Sequence, residues 1–256
     1  MKNSMYGFLL AVQFLTRLPV PVTCPWNEKT SRWAIRFYPL VGMIVGFILA
    51  GGWVLLKDVI PSEILALCII SLWVWLTGGL HLDGLMDVAD AVGSNAPLKK
   101  KWEIMKDPHV GSFGIIALLF VLAWKVVLVF ELQLAEINDI TIILVMLGII
   151  GFARFHAVLL LGVFPSAKTS GLAWEWKKNL TIFDIFFSFL PLVILCVFAP
   201  NVIFLGLAYG LFILVYGVWM MKTFKGTNGD LIGTAIEGGE LWGLLSVWIF
   251  FLYGMG

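Results

Sequence analysis

Charge is what this chain has least of: 13% of its 256 residues are Asp, Glu, Lys or Arg, against roughly 25% in soluble domains. With 61% hydrophobic residues beside that scarcity, a soluble domain is excluded and the chain reads as an integral membrane protein. The net charge of +1 and the lack of a Lys- or Arg-rich tail exclude a strongly basic nucleic-acid binder, so no nucleic-acid partner is expected. Cysteine is nearly missing too. Cys24, Cys68 and Cys196 lie far apart without C-x-x-C spacing, so they point to neither a zinc site nor a disulfide framework, and they are read as small apolar residues. No internal repeat, low-complexity tract or soluble domain interrupts the sequence. One membrane-embedded domain, residues 1–256, accounts for it.

What is present is apolar length. Seven stretches are long enough to approach a span: Phe37 to Leu56, Ile64 to Leu80, Phe113 to Leu134, Ile140 to Phe164, Ile182 to Ala199, Val202 to Met221 and the short Leu241 to Tyr253. The expected fold class is therefore all-α and polytopic, with about seven transmembrane helices. Before the first span, Tyr6 to Leu15 is too short to cross a bilayer, which needs ~20 residues, and the following L-P-V-P-V-T-C-P is a poor cleavage site; an interfacial or re-entrant helix is expected. With seven spans, fourteen of the seventeen Lys and Arg fall on one side, in the segments around Lys2 to Arg36, Lys99 to Lys106, Lys168 to Lys178 and Lys222 to Lys225. The opposite loops hold Lys57 alone. By the positive-inside rule the N-terminus is cytoplasmic and the acidic clusters described next lie at or near the cytoplasmic face.

Three clusters of polar residues adjoin the spans. The first is G-G-L-H-L-D-G-L-M-D-V-A-D, Gly78 to Asp90. On a helix Asp83, Asp87 and Asp90 fall within about 60° of one another, so they could aim at one cation, and oxygen-only ligands suit Mg²⁺ or Mn²⁺. A solvated helix end is the plainer alternative. His81 would point about 200° away from Asp83 on a regular helix, although Gly78 and Gly79 could break that geometry; it is a base, a partner of a ligand, or a satisfied core histidine. The second cluster holds Glu103, Lys106, Asp107 and His109, with Gly111 and Gly114 permitting close backbone approach; an ordinary surface loop with a capping Asp is its alternative. Here Lys106 offers an ammonium to a phosphate and Asp107 another carboxylate to a metal. The third, Gly226 to Glu240, carries Asp230, Glu237 and Glu240 and is too polar to span by itself. Arg154, about ten residues before the end of the fourth span, needs an anion, either a carboxylate of these clusters or a substrate phosphate, unless it snorkels to the interface. Lys125 is read as snorkelling or paired and is left outside the site.

Carboxylates around a divalent cation, with Lys and Arg nearby at a membrane face, suit transfer of a phosphate-linked group. The spacing does not name the substrates. The segments F-L-T-R-L-P-V-P (Phe14 to Pro21), F-Y-P-L-V-G-M-I-V-G (Phe37 to Gly46), T-G-G-L-H-L-D-G-L-M-D-V-A-D (Thr77 to Asp90), E-I-M-K-D (Glu103 to Asp107) and G-D-L-I-G-T-A-I-E-G-G-E (Gly229 to Glu240) resemble, in order, those of the cobalamin synthase (adenosylcobinamide-GDP ribazoletransferase) family. The resemblance covers almost the whole chain.

It implies a late step of coenzyme B12 assembly in the inner membrane, with the active site at the cytoplasmic face. The ribose 3′-hydroxyl of α-ribazole or its 5′-phosphate attacks the phosphorus linking cobinamide to GMP in adenosylcobinamide-GDP, and GMP leaves. Mg²⁺ is the implied cofactor, with Asp83, Asp87 and Asp90 as ligands. Asp83, His81, Asp87, Asp107 and Lys106 are the implied catalytic group; Arg154, Glu103, His109, Asp230, Glu237 and Glu240 the implied substrate-binding group. The resemblance also admits a homo-oligomer or association with other cobalamin-assembly enzymes. This chain departs from the family pattern at Pro108-His109, where many relatives have Ser-Arg, and at Ala91, Asn228 and Gly239. Two other classes use similar residues. A CDP-alcohol phosphotransferase normally carries an Ala-Arg that D-G-L-M-D-V-A-D lacks, and an ion-coupled transporter would place polar residues near the midplane and use paired broken helices, whereas these acidic clusters gather at one face.

Overall fold

In the computed structural model, residues 2–135 and 137–253 are described, and among them the protein is all-helical and polytopic. The helices are α1 (Lys2–Leu15), α2 (Glu28–Leu56), α3 (Ser62–Thr77), α4 (Leu80–Gly93), α5 (Leu98–Ile104), α6 (Ser112–Leu134), α7 (Asp139–Val163), α8 (Leu172–Lys177), α9 (Ile182–Phe198), α10 (Ile203–Phe224) and α11 (Gly229–Tyr253). Five are long and apolar enough to cross a membrane, and six if α3 and α4 count as one broken span. The seven stretches read from sequence correspond to these and to α9, which at 17 residues falls short of the ~20 a span requires. N-terminal helix α1 packs along α2, with Gly7 against the Trp33 side chain.

Local chemistry sets the helix starts. Asn27 accepts from the Thr30 amide at the head of α2 and Asn138 from the Thr141 amide at the head of α7, the usual way of satisfying the free amides of a first turn. Thr181 and Asp184 form a reciprocal capping box on α9. Between helices the contacts rest on small residues, as expected where lipid supplies no hydrophobic drive for association. A Cβ on Gly42 of α2 would sit 2.7 Å from the Ile150 carbonyl oxygen of α7, so only glycine lets these two backbones touch.

Two features position the site. Gly78 and Gly79 both take left-handed backbone conformations, φ 68° and 71°, which a side chain resists, and they turn α4 by 92° from the axis of α3. The second feature corrects the sequence reading. The polar segment Gly226 to Glu240 is not a connection outside the last span; from Gly229 it is the first half of α11. That places Glu240 roughly 16 Å along the helix at 1.5 Å per residue, inside the bundle instead of at its face.

Candidate active site

The cleft that brings the polar clusters together is built where α4 crosses the start of α11. A Cβ on Gly84 would lie 2.9 Å from both the Cα and the carbonyl oxygen of Asp230, and one on Gly233 would lie 3.3 Å from the His81 Cα. Thr234 Oγ1 donates to the Gly84 carbonyl at 3.1 Å. Asp83 and Asp230, remote in sequence, both line the resulting cavity of about 510 Å³, together with His81, Lys106 and Lys168. His81 is buried, and its Nδ1 has no hydrogen-bond partner among the described residues. The turn before α11 is tied to the α7–α8 connection by paired backbone bonds, Thr227 N–H to the Pro165 carbonyl and Ala167 N–H to the Thr227 carbonyl, each 2.8 Å. The loops carrying Lys106 and Lys168 and the turn Thr227 to Gly229, just after the basic residues Lys222 and Lys225, thus line the same cleft.

Lys168 was counted from sequence only as a topology charge. It stacks over Trp102 at 4.8 Å, and its pKa is lowered by burial and by the neighbouring Lys106, against the pull of Asp230. An uncompensated pair of ammonium groups beside carboxylates is a ready receptor for a bridging phosphate.

The residues of the second cluster separate. Lys106 lines the cleft, whereas Glu103 is exposed and pairs with Lys100 at 3.2 Å. Asp107 accepts from the backbone amide of His109 at 3.0 Å and lies 2.7 Å from its ring Nδ1; these bonds hold the Asp107 carboxyl below the usual range. Neither side chain lines the cleft, so the structure does not bring Glu103, Asp107 or His109 to the cavity.

Asp90 also turns away from its two partners of the trio. Its carboxylate accepts from the Gly111 amide at 2.7 Å and the Gly114 amide at 2.9 Å. Gly111 is the N-cap of α6 and has no side chain to cap with; Asp90 supplies the missing cap from α4. A Cβ on Gly114 would meet that carboxylate at 2.6 Å, which is what the two glycines are for.

The third cluster divides inside α11. Asp230 enters the cleft, while Glu237 and Glu240 turn to the bundle. Lys125 Nζ of α6 lies 2.6 Å from Glu237 and 2.5 Å from Glu240. Arg154 of α7 also pairs with Glu240, and Trp73 Nε1 of α3 donates to Glu240 at 3.2 Å. Two cations and two carboxylates, all at most 3% exposed, form a neutral group that does not line the cleft. Arg154, Glu237 and Glu240, expected at the substrate, join four helices together. Lys125, left outside the site by the sequence reading, is central to them. The signal was available: a lysine in mid-span with no acid a turn away on its own helix has to find its anion on another.

A divalent cation can be tested against these donors. Among the described residues, no three His, Cys, Asp or Glu side chains converge closely enough to hold a metal. Mg²⁺ does not require that many, since it usually takes one or two carboxylates and completes its shell with water and substrate phosphates. Asp83 and Asp230, which both line the cleft, are oxygen donors of that kind; Asp87, one turn along α4 and expected as a ligand, does not line it.

A family profile described as cobalamin-5-phosphate synthase matches residues 7–248. Similar proteins named adenosylcobinamide-GDP ribazoletransferase occur in Geobacillus thermodenitrificans, 34% identical with all of both chains covered, and in Halalkalibacterium halodurans, 33% identical with 98% of each covered. Another, in Acinetobacter baumannii, is 32% identical over 92% of this chain and 94% of its own. No solved structure matches. With the profile matched across nearly the whole chain and relatives of this identity aligned end to end, the protein belongs to the cobalamin-5-phosphate synthase family.

Proposed function

We propose that this protein is an adenosylcobinamide-GDP ribazoletransferase acting at the cleft between α4 and α11. The observation that carries the site is the meeting of Asp83 and Asp230 with Lys106 and Lys168 in one cavity. The ribose 3′-hydroxyl of α-ribazole, or of its 5′-phosphate, attacks the phosphorus bonded to cobinamide; a new P–O bond forms, the P–O bond to GMP breaks, and the hydroxyl proton passes to a cleft carboxylate or to His81. Lys106 and Lys168 hold the diphosphate and take up the charge that gathers on the departing GMP. Asp83 and Asp230 would hold Mg²⁺, which when bound neutralises diphosphate oxygens and strengthens the leaving group.

The loops carrying Lys106 and Lys168 belong to the basic side of the chain, and the positive-inside rule puts that side in the cytoplasm. The N-terminus and the active site then share the cytoplasmic face of the inner membrane, where GDP-linked substrates are accessible. The transporter alternative called for polar residues near the midplane and paired broken helices; the Glu240 group lies inside the bundle, and among the described residues one bent pair, α3–α4, is found. Those charges nevertheless pair with one another and do not line the cleft, and the family is one of synthases.

The test is reconstitution in lipid with adenosylcobinamide-GDP, α-ribazole 5′-phosphate and Mg²⁺, following GMP and the cobalamin product. Metal-dependent formation of both is expected. No product, under conditions in which one of the relatives turns over, would remove the proposal.

A further inference from the structure

We infer that the apolar side of the cleft is the subsite for the acceptor's base, and that it selects a flat bicyclic base without N–H donors over a purine. This deepens the transferase reading and rests on it. The charged residues of the cleft come from α4, from the loops holding Lys106 and Lys168, and from the start of α11. Facing them, α1, α2, α7 and α8 contribute Phe14, Tyr38, Val158, Leu161 and Trp176, which belong to one hydrophobic cluster. The three aromatic rings pack on each other: Phe14 to Tyr38 at 6.1 Å between centroids, Phe14 to Trp176 at 5.4 Å and Tyr38 to Trp176 at 5.7 Å. A ring wall on one side and carboxylates with ammonium groups on the other match a ligand with an aromatic end and a phosphorylated end. At about 510 Å³ the cavity is of a size for one such molecule, and a corrin with its side chains has to extend outside it.

Three heteroaromatic groups compete for this wall, the guanine and the adenosyl adenine of the donor substrate and the benzimidazole of α-ribazole. Guanine and adenine both carry N–H donors along their edges, and burying them without acceptors is costly. The acids lining the cleft are Asp83 and Asp230, both at the α4–α11 crossing; on the aromatic wall the side-chain acceptor is the Tyr38 hydroxyl. Dimethylbenzimidazole in its riboside has no N–H at all. Its edge is C–H and methyl, which suits Val158 and Leu161, and its one unsubstituted ring nitrogen is an acceptor. Among the described residues Trp176 Nε1–H is buried without an acceptor, so the wall's spare group is a donor, the complement of a ring nitrogen and not of an amine. Guanine is better served by the other side, where Ser166, Ser170 and Asn228 line the cleft.

The test uses the full chain in lipid nanodiscs, with Phe14→Leu and Trp176→Leu as separate variants, each checked for its thermal midpoint. KM is measured for α-ribazole 5′-phosphate and for adenosylcobinamide-GDP in turn, and α-ribazole and the α-riboside of adenine are titrated calorimetrically without the second substrate. Loss of one well-packed ring should raise KM and Kd for α-ribazole about tenfold and leave KM for adenosylcobinamide-GDP within about twofold. The wild type should prefer the benzimidazole riboside over the adenine one by about tenfold or more, and Val158→Asn, which adds an acceptor, should narrow that gap. A rise in KM for adenosylcobinamide-GDP instead would put guanine or the adenosyl adenine on this wall and overturn the inference. So would unchanged values for both substrates in Phe14→Leu, the milder change, if Trp176→Leu fails to fold. Wild-type turnover with such unchanged values defeats the subsite alone; a wild type that neither turns over nor binds α-ribazole defeats the transferase reading with it.

Discussion

Replacing Gly84 by alanine tests the crossing on which the site depends. The added Cβ would lie 2.9 Å from the Asp230 Cα and 2.9 Å from its carbonyl oxygen, where ordinary contact begins at 3.4 Å. Both obstructing atoms are backbone, so no side chain can swing aside and the two helices have to part by about half an ångström. Overpacking of this kind costs about 1–3 kcal/mol. The same displacement draws the 3.1 Å bond from Thr234 to the Gly84 carbonyl beyond useful length, a further loss of about 1 kcal/mol. Asp230 also moves away from Asp83. A misplacement of about 1 Å costs on the order of 10² in rate, so Gly84→Ala is expected to lower turnover about tenfold and the thermal midpoint by several degrees. GMP release and thermal unfolding in the same lipid would measure both. The control is Gly51→Ala in α2, where a Cβ meets nothing within 4 Å; it should leave turnover intact and, by removing a helical glycine, add about 0.5–1 kcal/mol. Turnover within twofold of wild type and an unchanged midpoint for Gly84→Ala would refute the contact between α4 and α11.

Asp83→Asn and Asp230→Asn should each lose most turnover while keeping the wild-type unfolding midpoint; near-normal rates across a Mg²⁺ titration would take either residue out of the site. Asp90→Ala removes the external cap of α6 and should cost about 0.5–2 kcal/mol with a smaller loss of turnover than Asp83→Asn. An unchanged midpoint with turnover abolished would make Asp90 a ligand instead. Lys125→Met leaves Glu237 and Glu240 with one cation in the bundle, an expected loss of about 3–5 kcal/mol, and adding Glu237→Gln should restore part of it, as read by thermal unfolding of the single and double variants. Lys168→Ala should raise KM for adenosylcobinamide-GDP about tenfold and KM for α-ribazole far less, measured at saturating co-substrate.

Much of this protein could be read before any folding. Apolar runs mark the helices, because a chain in lipid has to satisfy its backbone internally. The blocks around Asp83, Lys106 and Asp230 marked the family and three of the residues that line the cleft. Gly78 and Gly79 were legible as a break, and Gly111 and Gly114 as places of close backbone approach, since those roles depend on what a missing Cβ allows locally. Periodicity also grouped Asp83, Asp87 and Asp90 on one face, which is correct for α4 as an isolated helix.

What periodicity leaves undecided is what each face meets. Asp90 reaches the head of α6, which its own helix does not specify. Asp230 and Glu240 share α11 yet serve different surroundings, one in the cleft and the other against Lys125 and Arg154. Nothing near them in sequence separates the two, because a carboxylate's partner in a low-dielectric bundle is whichever cation packing delivers, and Lys125 arrives from 115 residues away. Composition and pattern determined a polytopic helical protein of this family with its acids in two distant segments. The crossing of α4 and α11, made possible by the missing side chains of Gly84 and Gly233, decided which of those acids line the cleft and which pair inside the bundle.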